Sequence, residues 1–199
     1  MKKNVRSVWA VCAFVFMLSC TGSEVKKSKT GNLPERNFKI VKINNEYSVH
    51  VPKYMKETDD LNDKASLQYE NIYKETYLIV VDEDKQHFID LSKELGLFND
   101  SVSVTENYQW VHELNINQEV DILKKTETQA ISVHDLDTRI MQIDGRVSGT
   151  PEDVSFFFAF IEGDKKMYYI TAWTTPDKKE TYTPDFMNII KSFRLINKK

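Results

Sequence analysis

The chain has 199 residues, 41% of them hydrophobic and 29% charged, and a formal charge of −3. That balance repels nucleic acid, so no nucleic-acid partner is expected. It also repels an anionic membrane surface, so any membrane attachment needs something other than a basic patch.

The first element is a leader. Lys2, Lys3 and Arg6 precede an apolar run from Val8 to Leu18, interrupted only by Cys12. The run has the length of a signal-peptide core and falls short of the roughly 20 residues a bilayer-spanning helix needs. It ends in Met17-Leu18-Ser19-Cys20, a small residue before a cysteine with large apolar residues ahead. This resembles the bacterial lipoprotein cleavage box, with Met17 where leucine is usual. The resemblance implies that residues 1–19 are a signal peptide and that lipid is attached to the sulfur and new N-terminus of Cys20. It also implies an address at the bacterial cell envelope, facing either the periplasm or the exterior. An ordinary secretory signal with an incidental Cys20, or an uncleaved anchor, are the alternatives. Cleavage removes three cations and no acid, which moves the formal charge from −3 to −6. Cys12 leaves with the leader, and a lipidated Cys20 then leaves no free thiol. Disulfides, thiolate metal sites and cysteine nucleophiles are excluded together. Acyl chains add about 0.8 kcal/mol of membrane affinity per buried CH2, so a multiply acylated cysteine is a durable membrane partner.

Residues 20–36 follow, reading "TGSEVKKSKTGNLPER" after the cysteine. The stretch has too little apolar surface to offset the entropy of ordering and is expected to be a flexible tether. Residues 37–199 are expected to form one domain.

The domain opens with a hairpin turned at Asn44-Asn45, with Tyr47, Val49 and Val51 facing inward and Pro52 ending the second strand. Residues 54–63 read as a loop. Leu67 and Tyr69 mark a third strand, and Tyr77–Val81 is a continuous apolar run suited to a strand covered on both faces. The period then changes. Phe88, Leu91 and Leu95 are spaced by three and four before Gly96, predicting a helix. A second helix is predicted over residues 105–123, with Thr105 as cap and Tyr108, Val111, Ile116 and Val120 as its stripe. Two strands, "QAISVHDL" and "TRIMQIDGRV", come next. The strongest strand signal is "VSFFFAFIEGDKKMYYITAWTT", a hairpin with apolar residues on both faces. A last helix is predicted from Thr183 as cap and Pro184 at the first helical position, with Phe186, Ile189, Ile190 and Phe193 as its stripe.

The strand-proline start "YSVHVPKYM", the Tyr-rich hairpin ending in Ala172-Trp173-Thr174 and the closing "DFMNIIKSFRLI" resemble the PsbP-like fold in pattern and order. The resemblance covers about residues 37–196. It implies an α+β domain, an α/β/α sandwich around a mainly antiparallel sheet, and little about activity.

No catalytic constellation is legible. "HELNI" at His112 lacks the second histidine of the zinc-protease helix. His50, His87, His112 and His134 fall in separate elements. His134, Asp135 and Asp137 could form an ion corner, or a plain β-turn. Asp82–Lys85 lacks calcium-loop spacing and suits an acidic helix start. No metal, cofactor or catalytic residue is expected, and the chain is read as a non-enzyme. Most of its aromatics belong to the core. Trp110 and Tyr108 are the candidates for a partner or ligand surface. The expected function is an envelope binding or scaffold module for an unknown envelope protein. The alternative is a small-molecule or glycan carrier with an apolar pocket between sheet and helix.

Overall fold

A computed structural model describes residues 37–196, which belong to one compact unit. The expected signal peptide, the expected lipidation of Cys20 and the expected tether fall outside the described residues.

Strands β1 (Phe38–Ile43) and β2 (Tyr47–Pro52) form the opening hairpin. Its turn places Asn44 and Asn45 at φ of 48° and 53°, a left-handed conformation that asparagine tolerates better than most residues. Tyr47, Val49 and Val51 are fully buried, as their alternation requires. The two-residue strand β3 (Lys56–Glu57) interrupts the segment expected to be a loop, and pairs with β4 (Ala65–Asn71). Strand β5 (Thr76–Asp84) runs into helix α1 (Lys85–Glu94), whose first turn is capped by the Asp84 carboxylate accepting from the His87 N–H. Of the acidic stretch, Asp82 and Glu83 thus belong to the strand and only Asp84 serves the helix start. Gly96 takes φ of 69° just after the helix, where a side chain would be strained.

Helix α2 (Val104–Glu119) differs from its expected form at both ends. Ser103, two residues earlier than the expected cap, accepts from the Glu106 N–H. Thr105 is instead buried and donates to Glu162. The helix stops at Glu119, and "VDIL" belongs to strand β6 (Val120–Lys125). Val120 and Ile122 pack on the core from either period, so their spacing alone did not decide between helix and strand.

Strands β7 (Gln129–Val133) and β8 (Leu136–Val147) form a hairpin around His134 and Asp135, both at positive φ. The proposed ion corner is thus a tight two-residue turn. Strands β9 (Asp153–Glu162) and β10 (Lys166–Thr174) form the central hairpin. The main sheet runs β3-β4-β5-β10-β9-β8-β6, with β7 also on β8, and its pairings are antiparallel. The opening hairpin does not join it. It forms a separate small sheet with β11 (Arg194–Leu195).

Helix α3 (Lys179–Ser192) starts a turn before Thr183, straight from a 3-10 turn at Pro176–Lys178. Pro184 therefore sits inside the helix, and the Thr183 hydroxyl donates back to the Lys179 carbonyl at 2.8 Å. Its apolar stripe is as expected: Phe186, Ile189, Ile190 and Phe193 are all buried. They pack with the small sheet onto Leu78, Phe157, Ile161 and Ile170 of one face of the main sheet. The other face carries Phe158, Phe160, Met141 and Ile143 against Phe88 of α1 and Tyr108 and Ile116 of α2. The result is an α+β sandwich, helices on both faces of an antiparallel sheet.

Candidate functional site

The α1–α2 face does not close over all of its apolar residues. Helix α1 buries Phe88, but Leu91 and Leu95 remain 44% and 61% exposed, so only part of its expected stripe is core. Helix α2 then leaves Trp110 at 44% exposure. Between them, Leu97, Phe98, Val102, Glu106, Gln109 and Trp110 line a groove of about 350 Å3. That volume lies at the lower end of the roughly 300–1,000 Å3 typical of ligand clefts.

The groove is preformed. Its floor is the connection after Gly96, and Asn107 of α2 holds that connection at two points. The Asn107 side chain accepts from the Asn99 N–H at 2.7 Å and donates to the Asn99 carbonyl at 2.9 Å. Asn107 is buried, so these bonds are shielded from water. Lys93 adds an ion pair to Asp100 at 2.9 Å and lies over the Phe98 ring, 5.0 Å from its centre. The start of α2 is fixed as well. The Glu162 carboxylate accepts from Thr105 at 3.0 Å and pairs with Lys85 at 3.1 Å, while Arg139 pairs with Glu106 at 3.1 Å. A wall so held loses little further entropy when something binds to it.

Of the two aromatics singled out from the sequence, Trp110 lines this groove and Tyr108 does not. Tyr108 is fully buried, edge-on to Phe88 at 4.9 Å and to His112 at 4.4 Å. It is a core residue, which corrects the expectation of a surface role. Residues two apart on a helix point roughly 200° apart, so Tyr108 and Trp110 could not both face outward.

Beneath α2 the Glu83 carboxylate lies 3.5 Å from His112 Nε2. His112 stacks on Tyr169, 4.5 Å between ring centres. Burial pushes the Glu83 carboxyl up, but the His112 ring beside it outweighs this and holds the group below its usual range. Burial, and then the Glu83 charge, push the Tyr108 phenol well above its usual value. The arrangement fastens α2 to β5. Among the described residues no three of His, Cys, Asp or Glu gather as a metal site, and no helix is long and apolar enough to cross a membrane.

A second hollow, of about 190 Å3, lies where the sheet meets α3, lined by Met141, Phe157, Phe158, Met187 and Ile190 among others. It opens where β6 ends and β7 begins along β8.

No protein-family model matches the chain. No curated protein matches it either. Solved structures do. Cyanobacterial PsbP from Synechocystis superposes with a TM-score of 0.53 at 9% identity, over 84% of this chain and 98% of that one. The Saccharomyces cerevisiae Ran-binding protein Mog1p gives 0.48 at 14% identity, over 81% and 96%. LpqN of Mycobacterium tuberculosis, described as involved in cell envelope biogenesis, gives 0.47 at 8% identity, over 75% and 82%. The likeness to cyanobacterial PsbP establishes a PsbP-like fold and leaves function to be argued from this chain's own residues.

Proposed function

We propose that this protein is a non-enzymatic binding module of the bacterial envelope, lipid-anchored through Cys20, that takes a protein partner on the groove walled by Trp110. The observation that carries the reading is the groove itself: an exposed indole, sharing the groove with Leu97, Phe98 and Val102, on a wall fixed by buried hydrogen bonds. Tryptophan is among the residues enriched at the points that carry most of the binding energy in protein interfaces. The leader and its cysteine supply the address. The carrier reading has less support, because the hollow between sheet and helix holds only about 190 Å3, below the usual size of a ligand cleft.

The test is co-purification from detergent-solubilised envelope with the native chain, Trp110→Ala and Leu97→Ser. The reading expects a defined partner whose recovery falls at least about tenfold in both variants. Equal recovery from all three proteins overturns the assignment of the groove.

A further inference from the structure

The β4–β5 turn carries two apolar side chains into open solvent. Ile72 is 65% exposed and Tyr73 is 97% exposed, the most exposed large apolar residue among those described. The turn is also firmly held. The Lys74 N–H bonds the Asn71 side chain at 2.9 Å, and the Glu75 N–H bonds the Ile72 carbonyl at 3.2 Å. Asn71 donates to the Tyr54 carbonyl at 2.6 Å on one flank. Glu75 is fixed by Lys178 and Thr175 on the other. Two apolar residues are therefore presented on a braced tip instead of folding back onto the sheet.

The tip lies at the end of the domain where the chain enters. The Lys53 N–H bonds the Asn37 carbonyl at 2.9 Å, and Tyr54, next in the chain, shares a hollow with Asn37 and Asp185. Tyr54 meets the tip twice, through Asn71 and through the Lys74 ammonium, which lies 5.2 Å from the centre of its ring. Asn37 follows Cys20 by about 17 residues, a reach of at most ~60 Å in any conformation. An anchor at Cys20 thus keeps the tip at an effective concentration on the order of millimolar relative to the bilayer.

We propose that Ile72 and Tyr73 form a second membrane contact, inserting at the headgroup level of the bilayer that holds the lipid anchor. The inference rests on the anchored reading above. The chemistry fits an interfacial contact: tyrosine places an apolar ring below and a hydroxyl in the wet layer, and isoleucine adds apolar area. The charged groups held at the tip and its braces are two of each sign, Lys74 and Lys178 with Glu75 and Asp185. The contact is therefore apolar, and salt leaves it intact.

The test supplies the anchor artificially, so that it stands apart from acylation. The chain from residue 21, with a histidine tag in place of Cys20, is held on phosphatidylethanolamine–phosphatidylglycerol vesicles by a nickel-chelating lipid. An environment-sensitive fluorophore is attached at Lys74→Cys or, as control, at Lys191→Cys on α3. The expected result is a rise of at least about twofold in emission at position 74 on vesicles. The rise persists at high salt, is absent at position 191 and is lost in Ile72→Ser/Tyr73→Ser. No response at 74, an equal response at 191, survival in the double serine variant or loss in salt overturns the proposal. Lipidation is read separately from the mass of the native protein and of Cys20→Ala.

Discussion

The two faces of the main sheet are covered differently. On one, α3 and the small sheet close over a large cluster in which Phe186, Ile189 and Phe193 are fully buried. On the other, α1 and α2 bury a smaller cluster and are held down as much by polar fastenings, through Asn107, Thr105, Glu162 and Glu83, as by apolar contact. Apolar packing is non-directional and closes every gap it can. Polar fastening fixes a helix at points and lets the surface between them stay open. The α3 side keeps hollows of its own, but the exposed Trp110, Leu91 and Leu95 all lie on the fastened face. On the proposed reading, stability belongs mainly to the α3 face and binding to the α1–α2 face.

The strongest way to break this contrast is Phe186→Ala. Removing a fully buried ring should cost about 3–5 kcal/mol of unfolding free energy in denaturant titration. A loss below about 1 kcal/mol would mean that the α3 face is not the main store of stability. Asn107→Ala should cost less, about 1–3 kcal/mol, because it strips the Asn99 N–H of its buried partner. It should also weaken partner recovery by loosening the groove wall, an effect that Phe186→Ala should not show in protein that remains folded.

Acid sharpens the comparison from another side. The Glu83 carboxyl is held below its ordinary value of 4.5 in the folded protein. Its contribution is complete above that value and is lost as pH falls through the lower folded value. Glu83→Gln should therefore flatten the acid limb of stability, measured as melting temperature against pH between about 5 and 2. Asp144, on the α3 face, is also depressed: burial opposes its charge, but Lys179 and Ser155 outweigh it. Asp144→Asn should flatten the same limb while leaving hydrogen exchange in α2 unchanged, whereas Glu83→Gln should speed it.

The smallest expected effect on stability is that of Trp110→Ala, within about 0.5 kcal/mol, since the indole is exposed. Its effect on partner recovery should be the largest of the five.

The α3 face was readable in the sequence because its signals are dense and agree. Phe186, Ile189, Ile190 and Phe193 keep one helical stripe, and Phe157, Ala159 and Ile161 keep one strand face. The start of α3 was misread because Pro184 fits a first helical position, yet the 3-10 turn at Pro176 had already set the chain winding. The end of α2 was misread because Val120 and Ile122 serve a strand as well as a helix. The strands β3 and β11 are two residues each, too short to show a period. At the groove, Trp110 was legible as an aromatic on a polar helix, and the opposition of Tyr108 to it follows from helical geometry. What the sequence did not disclose was Asn107. Its role depends on meeting Asn99 across the helix connection, a contact set by the fold and carried by no motif.

The division between a stabilising face and a binding face can be tested most directly by photo-crosslinking in intact envelopes. A photoreactive phenylalanine analogue is placed at position 110 and, separately, at the exposed position 191 of α3, in chains of equal melting temperature. The account predicts one discrete, ultraviolet-dependent adduct from position 110, reduced by Leu97→Ser, and none of that mass from position 191. The same adduct from both positions, or from 191 alone, would contradict it.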